Sequence, residues 1–301
     1  QATTGQQNYL EIKCTSTDSS VHTQAYSMIR QHVEATSDLQ SRLRYGTSDA
    51  QKLTLSFWIK TNLTGTHSMS WYYNGGTDGN STYYYPFNFT VSSADTWEKK
   101  IITIPAPPTS YGSINAGNAT GGLLNINLQI GSDYQDPAGS WTANVGYASA
   151  DVPNFFTSTD NNILITAIQL EVGDDASDFE DVPRDVQLQR CKRFYEFIQY
   201  EGQVTTMAAT STSAAYARIE CSVEKRADPT VTLPTAGQST NQISVLSAAG
   251  SYPSTTGSHA VGNPTPLGFR LQATSYDSLE AGGGLMLYVN GTVHIEFDAE
   301  I

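Results

Sequence analysis

Positive charge is scarce in this chain. Lysine and arginine number 16 against 29 aspartates and glutamates, leaving a formal charge of −13. A protein so short of cations is not expected to bind nucleic acid or anionic lipid nonspecifically, since both need clustered positive groups that displace counterions. Charged residues of either sign make up only 15% of the chain, against roughly 25% in an ordinary soluble domain. Cysteine is almost absent: Cys14, Cys191 and Cys221 are odd in number and far apart, without a CxxC or Cys/His spacing suited to zinc. They read as reduced thiols with no catalytic part. No apolar run approaches the ~20 residues of a membrane span, which argues against membrane insertion. No internal repeat is visible, which excludes a propeller or solenoid and weighs against a β-helical depolymerase. The start, Gln1-Ala2-Thr3-Thr4-Gly5, lacks Met and a basic-then-apolar signal. It reads as a processed chain or a piece of something longer.

What the chain does contain is alternation. At 301 residues and 39% hydrophobic content, about two domains with their own cores are expected. Leu53, Leu55, Phe57 and Ile59 share one face of a strand pattern, and Thr54, Ser56, Trp58 and Lys60 the other. Tyr83, Tyr85, Phe87, Phe89 and Val91 alternate with Tyr84, Pro86, Asn88 and Thr90. Leu124, Ile126, Leu128 and Ile130 alternate with Asn125, Asn127 and Gln129, and Ile168, Leu170 and Val172 with Gln169 and Glu171. Glycine-containing turns are expected at 74–80 and at Gly121-Gly122. Period-2 strands with one polar face each imply an all-β, antiparallel sandwich rather than a parallel sheet.

The pattern changes at 171–199. Glu171, Asp174, Asp175, Asp178, Glu180, Asp181 and Asp185 crowd one stretch around Pro183. Leu188, Cys191, Tyr195 and Ile198 then fall 3, 4 and 3 apart, predicting a helix over about 185–199 with one apolar stripe. Asp185 suits the N-terminus of such a helix. Beyond 200 the chain returns to short strand patterns. The predicted organisation is a domain at 1–183, a connecting helix at 184–200 and a second, smaller β domain at 201–301. The acidic run offers oxygen ligands to calcium but lacks the Asp-x-Asp-x-Asp-Gly loop and its bidentate Glu. A solvated acidic loop is the favoured reading, with structural calcium as the alternative and no other cofactor. Arg184, Arg190, Lys192, Arg193, Arg218, Lys225 and Arg226 are candidates to neutralise the run, within or between subunits.

Motifs that carry chemistry are missing. His22, His32, His67, His259 and His294 are scattered, with no HExxH, and neither a GxSxG elbow nor a phosphate-binding or dinucleotide loop is present. The chain is therefore read as not an enzyme, although a triad or carboxylate pair assembled from distant positions leaves no motif. The aromatic residues are more informative. Trp71-Tyr72-Tyr73 and Tyr83-Tyr84-Tyr85 flank one glycine-rich turn. Outward rings beside amides suit a sugar, whose apolar C–H face stacks on the ring while the amides read its hydroxyls. The carbohydrate-binding candidates are Trp58, Tyr84, Asn125, Asn127 and Gln129 on polar faces and Trp141 in a loop. The competing reading is that aromatics and Asn fill ordinary strands and sandwich rims.

An ordered set of segments carries a resemblance. Leu43–Thr47 precedes KLTLSFWIK at 52–60; Asp95-Thr96-Trp97-Glu98-Lys99-Lys100 follows, then ITAIQLEVG at 165–173, Phe179-Glu180 and Gln189-Arg190-Cys191-Lys192-Arg193-Phe194-Tyr195. This set resembles the tail-fibre and appendage proteins of tailed phages, many of them marine, that carry a carbohydrate-binding-module-like jelly roll. Lys225–Val231 and the ending Phe297–Ile301 are similar, less distinctively, to the β domain that often follows. The resemblance implies a jelly-roll sandwich, a connecting helix and a C-terminal β domain in a structural virion protein (fibre, spike or surface decoration) that contributes to host-surface glycan binding. It brings no catalytic residues. It also implies a homo-oligomer, most simply a trimer among other virion proteins, since phage appendages are commonly three-fold. Leu188, Cys191, Tyr195 and Ile198 are then the candidate interface, because their spacing matches a coiled-coil seam. Two rival expectations stand beside it: a purely structural capsid or tail component without ligand, and the glycan-binding module of a secreted polysaccharide hydrolase.

Overall fold

The structure, a computed structural model, describes residues 6, 8–75, 81–114, 120–235, 242–247, 258–276, 279 and 284–300. The start at 1–5 and residues 76–80 of the expected turn lie outside the described residues. The chain divides into two units, Gln1–Asp181 and Val182–Ile301.

Among the described residues the first unit holds β1 (Leu10–Lys13), β2 (Tyr26–Glu34), α1 (Ser37–Leu43), β3 (Leu53–Thr61), β4 (Gly65–Gly75), β5 (Ser81–Val91), β6 (Glu98–Ile104), β7 (Thr120–Ile130) and β8 (Asn162–Val172). They form two four-stranded antiparallel sheets, ordered β1-β8-β3-β6 and β2-β7-β4-β5. One core lies between them, where Leu53, Leu55, Phe57 and Ile59 of β3 join Met69, Trp71 and Tyr73 of β4 and Leu124, Ile126 and Leu128 of β7. The alternating runs thus build an all-β, jelly-roll-like sandwich. Its second strand is absent from the sequence-based expectations, yet Ile29 and Val33 of β2 pack on the same core. The short helix α1 is fixed by its ends. The Thr36 hydroxyl accepts from the Leu39 N–H at 3.0 Å, and Arg44 closes the last turn in the left-handed region at φ 52°.

Gly121-Gly122 form no turn; both lie inside β7. A Cβ on Gly122 would stand 2.2 Å from the Trp71 ring, and one on Gly121 2.8 Å from the Ala35 backbone. The glycines are there because an indole and the backbone at Ala35 approach the strand closely.

The second unit comprises, among its described residues, α2 (Arg184–Lys192), β9 (Tyr195–Ala209), β10 (Ala215–Glu220), β11 (Thr230–Thr232), β12 (Gln242–Ser247), β13 (Ser258–Thr265), β14 (Gly268–Thr274) and β15 (Gly284–Asp298). Its antiparallel sheet runs β11-β15-β9-β10-β14-β13, with β12 also on β15. Met207, Ile219, Phe269, Leu271, Leu287 and Phe297 lead its core.

The helix predicted over 185–199 is shorter in the structure. It stops at Lys192, and Tyr195 opens β9. The run Phe194-Tyr195-Glu196-Phe197-Ile198 is aromatic and β-branched, which favours a strand, and it pairs in continuous register with β15 from Tyr195↔Asp298 to Ile198↔Ile295. The four-residue stripe therefore does not exist as a helical seam. Leu188, 53% exposed, and Cys191 remain on α2, whereas Tyr195 and Ile198, an odd step apart on a strand, face opposite sides. Ile198 packs on the unit's core, and Tyr195 is exposed.

Glu196 turns inward into a buried charge cluster. The Lys225 ammonium donates to Glu196 Oε2 at 2.7 Å and to the Lys192 carbonyl at 2.6 Å, Lys192 Nζ stands 3.1 Å from Oε1, and Ser222 donates from both N–H and hydroxyl. Arg226 Nη1 donates to the Ala299 carbonyl at 2.9 Å. These cations were expected to neutralise the acidic run; Lys192 and Lys225 instead serve Glu196 inside their own unit. Within the first unit Asp174 pairs with Lys52 at 2.9 Å.

Candidate functional site

The outer side of β2-β7-β4-β5 gathers a set of polar and aromatic side chains. Period-2 alternation sends Asn125, Asn127 and Gln129 there from β7, Tyr72 from β4 and Tyr84 and Asn88 from β5, opposite to the core-facing set. Arg30 reaches it from β2, its Nε donating to Asn125 Oδ1 at 3.1 Å. The segment that follows β7 then folds across this face. Tyr84 and Thr142 exchange backbone hydrogen bonds of 2.9 Å in both directions, the Gly139 N–H donates to the Pro86 carbonyl at 2.8 Å, and the Tyr147 N–H to the Tyr134 carbonyl at 2.9 Å.

That covering segment explains where the sequence candidates end up. Asn125, Asn127, Gln129 and Tyr84 were expected to be displayed; all four are buried, at 0–6% exposure. Their amides are committed to the protein. Asn125 Nδ2 donates to Ser70 Oγ at 3.0 Å, Asn127 Nδ2 to the Ser68 and Tyr147 carbonyls at 3.2 and 2.5 Å, and Gln129 Nε2 to Asn154 Oδ1 at 3.1 Å. Trp58 is half-buried and belongs to the other sheet, so it shares no face with them. Trp141 is a lid on the core rather than a free ring: it packs against Tyr45, Tyr73 and Tyr85, and its indole N–H donates to the Pro105 carbonyl at 2.9 Å.

Around the buried amides lies a tyrosine cluster that sequence reasoning missed in part. Tyr72–Tyr84, Tyr84–Tyr147, Tyr147–Tyr134 and Tyr134–Tyr26 have ring centroids 5.0, 5.7, 5.4 and 5.6 Å apart. The Arg30 guanidinium sits 5.0 Å from the Tyr147 centroid and 5.9 Å from that of Tyr26, a cation held over ring faces. Tyr26 is 56% exposed, and Tyr134 and Tyr147 are half-buried at the rim. Burial, with the neighbouring Tyr84 phenol in support, pushes the Tyr72 hydroxyl up to about 12, and burial raises Tyr84 as well. Both therefore stay protonated at neutral pH. Alternation of Tyr26, Met28, Arg30 and His32 with Ser27, Ile29, Gln31 and Val33 was the available signal for β2. Tyr134 and Tyr147 sit in an irregular segment and left none.

On the β5 side this face opens into a cleft of about 640 Å³ lined by Asn88, Gln135, Asp136, Ser149 and Asp151 among others. Asp151 Oδ2 accepts from Asn88 Nδ2 at 2.7 Å and from the Ser149 hydroxyl at 3.2 Å, and Asp136 Oδ2 accepts from the Thr142 hydroxyl at 2.8 Å. Carboxylates and amides beside exposed rings can hydrogen-bond vicinal hydroxyls while the rings take the apolar face of a sugar.

The acidic run folds onto donors of its own. Glu171 accepts from the Ser177 N–H at 3.1 Å and from its hydroxyl at 2.5 Å. Hydrogen bonds from Ser177 and Gln169 hold its carboxyl below the usual range. Among the described residues no group of three or more His, Cys, Asp or Glu side chains is disposed to hold a metal ion. Cys14, Cys191 and Cys221 are free thiols. No family model matches the chain, and no curated protein matches it.

Proposed function

We propose that the chain is a non-enzymatic structural protein of a tailed-phage virion, and that its first unit binds host-surface glycan on the tyrosine-lined side of β2-β7-β4-β5. The observation that carries the glycan reading is the rim itself: Tyr26, Tyr134 and Tyr147 around the Arg30 guanidinium, beside a cleft lined by Asn88, Asp136 and Asp151. The jelly-roll-like sandwich and the ordered sequence segments support the virion assignment.

A glycan array probed with the wild type and with Tyr147→Ala tests this reading. Retention of a defined glycan by the wild type and its loss in the variant is the expected result; equal retention by both contradicts the assignment to this face. The purely structural reading keeps one observation in its favour, the segment after β7 that buries the centre of the face. An array without any binder would select it. Three-fold assembly belongs to the same proposal, its contacts now sought among exposed apolar side chains such as Leu188, Tyr195 and Phe197. Light scattering at micromolar concentration is expected to give a trimer mass.

A further inference from the structure

In an acidic chain, the second unit sets two arginines opposite each other on adjacent strands. Arg218 of β10 stands directly opposite Arg270 of β14 in the antiparallel register, and like charges placed opposite on adjacent strands are destabilising. Both side chains are exposed on the sheet face away from the core. Among the described residues neither is in an ion pair; Glu220, two residues further along β10 on the same face, pairs with neither. Between residues 227 and 301 Arg270 is the only lysine or arginine in the sequence.

The surroundings hold this pair in place. The Arg270 guanidinium lies over the Tyr216 ring, 4.8 Å from its centroid. Its partner in register on β13 is Gly262, where a Cβ would stand 3.1 Å from Nε and 3.2 Å from Nη2 of Arg270. The missing side chain leaves room for the guanidinium plane. The ladder is irregular just beyond Gly262, and Asn263 there adopts φ 49°. Arg218 Nη2 donates to the Thr265 hydroxyl at 3.3 Å. Tyr216, Arg218, Asn263 and Arg270 together line an open concavity of about 410 Å³.

We propose that this concavity is an oxyanion site, taking a carboxylate, sulfate or phosphate group between the two guanidinium forks. Each fork offers paired N–H donors that match such an anion bidentately, and a bound anion turns the repulsion between Arg218 and Arg270 into attraction. Two sources supply this chemistry: a free oxyanion, or the acidic groups of an anionic polysaccharide lying across the open concavity. The site is separate from the sheet face of the first unit, so either stands if the other fails.

The test is calorimetric titration of the full chain at low ionic strength with sodium sulfate, with inorganic phosphate and with a sulfated or uronate oligosaccharide of defined length. Wild type, Arg218→Gln and Arg270→Gln are compared. Binding of an anionic probe is expected, about tenfold weaker in each variant and largely lost in 0.5 M NaCl, as surface charge contacts are screened there. Tighter binding of the oligosaccharide than of the free anions assigns the site to a glycan; equal affinity assigns it to a free oxyanion. No binding of any probe, or unchanged affinity in both variants, overturns the proposal. Arg218→Gln is expected to melt no lower than the wild type at low ionic strength, so that its loss of binding is not unfolding. A lower melting temperature there contradicts the strained pair on which the site rests.

Discussion

Lys225→Met keeps the reach of a buried side chain and removes its charge. In the wild type the ammonium sits 2.7 Å from Glu196 Oε2, and both residues are at most 3% exposed. Removing one partner of a buried ion pair costs about 3–5 kcal/mol, because the other charge stays behind without compensation. Glu196 is not wholly abandoned here. Lys192 Nζ remains 3.1 Å away, on a side chain 33% exposed, and Ser222 still donates from its N–H at 3.1 Å and from its hydroxyl. The expected loss therefore falls at the low end, about 3 kcal/mol. Glu196→Gln is harsher, since it leaves the buried Lys225 ammonium with neutral oxygens alone, the Lys192 carbonyl and the new amide, and without a counter-charge, and about 4 kcal/mol is expected. For a unit of this size each kcal/mol moves the melting temperature by roughly 4 °C, so Lys225→Met should lower it by about 12 °C in scanning calorimetry at pH 7. The pH dependence adds a second check. Burial pushes the Glu196 carboxyl up, but hydrogen bonds from Lys225, Ser222 and Lys192 outweigh it and leave the folded value below the ordinary 4.5. The stabilisation is thus complete above about pH 4.5 and lost as pH falls through the lower, folded value. The difference between wild type and Lys225→Met should shrink on acidification. A variant that melts within about 2 °C of the wild type, or a difference that grows at low pH, refutes the reasoning.

Two further outcomes follow from single side chains. Gly122→Ala drives a methyl group into the Trp71 ring at 2.2 Å and is expected to destabilise the first unit by about 1–3 kcal/mol through overpacking, measured as a lower urea midpoint with an unchanged slope. Burial lowers His259 from 6.5 to about 4, so the folded imidazole stays neutral while the unfolded one takes a proton. Stability of the second unit should be whole above about pH 6.5, fall as pH drops toward 4 and level off below, by at most about 3 kcal/mol. His259→Gln should remove that part of the slope in urea unfolding at pH 7 and pH 4.5, and an unchanged slope contradicts a half-buried, neutral histidine.

Regular alternation was legible wherever one side of a strand is apolar. Leu53–Ile59 and Leu124–Ile130 announced both their faces and the sandwich between them. What alternation does not report is whether the polar side meets water. Asn125 and Asn127 were placed on the correct side of β7, yet the chain crosses that side again twenty residues later and buries them. The 3-4-3 spacing after Pro183 misled for a related reason. It holds equally for a short helix followed by a strand, and the buried partners of Glu196 and the long ladder with β15 decide for the strand. Tyr134 and Tyr147 reach Arg30 of β2 only through the tertiary path of the segment after β7, so no local pattern pointed to the cluster. Gly122 carried a signal that was read as a turn, whereas the close approach of Trp71 is its cause.

The most direct measurement is chemical-shift mapping of the full chain against a glycan retained on the array. Tyrosine ring signals and the Arg30 Nε–H are followed through the titration. The expected result is saturable shifts concentrated at Tyr26, Arg30, Tyr134 and Tyr147, with Trp58 on the opposite sheet unmoved. Shifts centred on Trp58 or confined to the second unit contradict the assignment of glycan binding to this face.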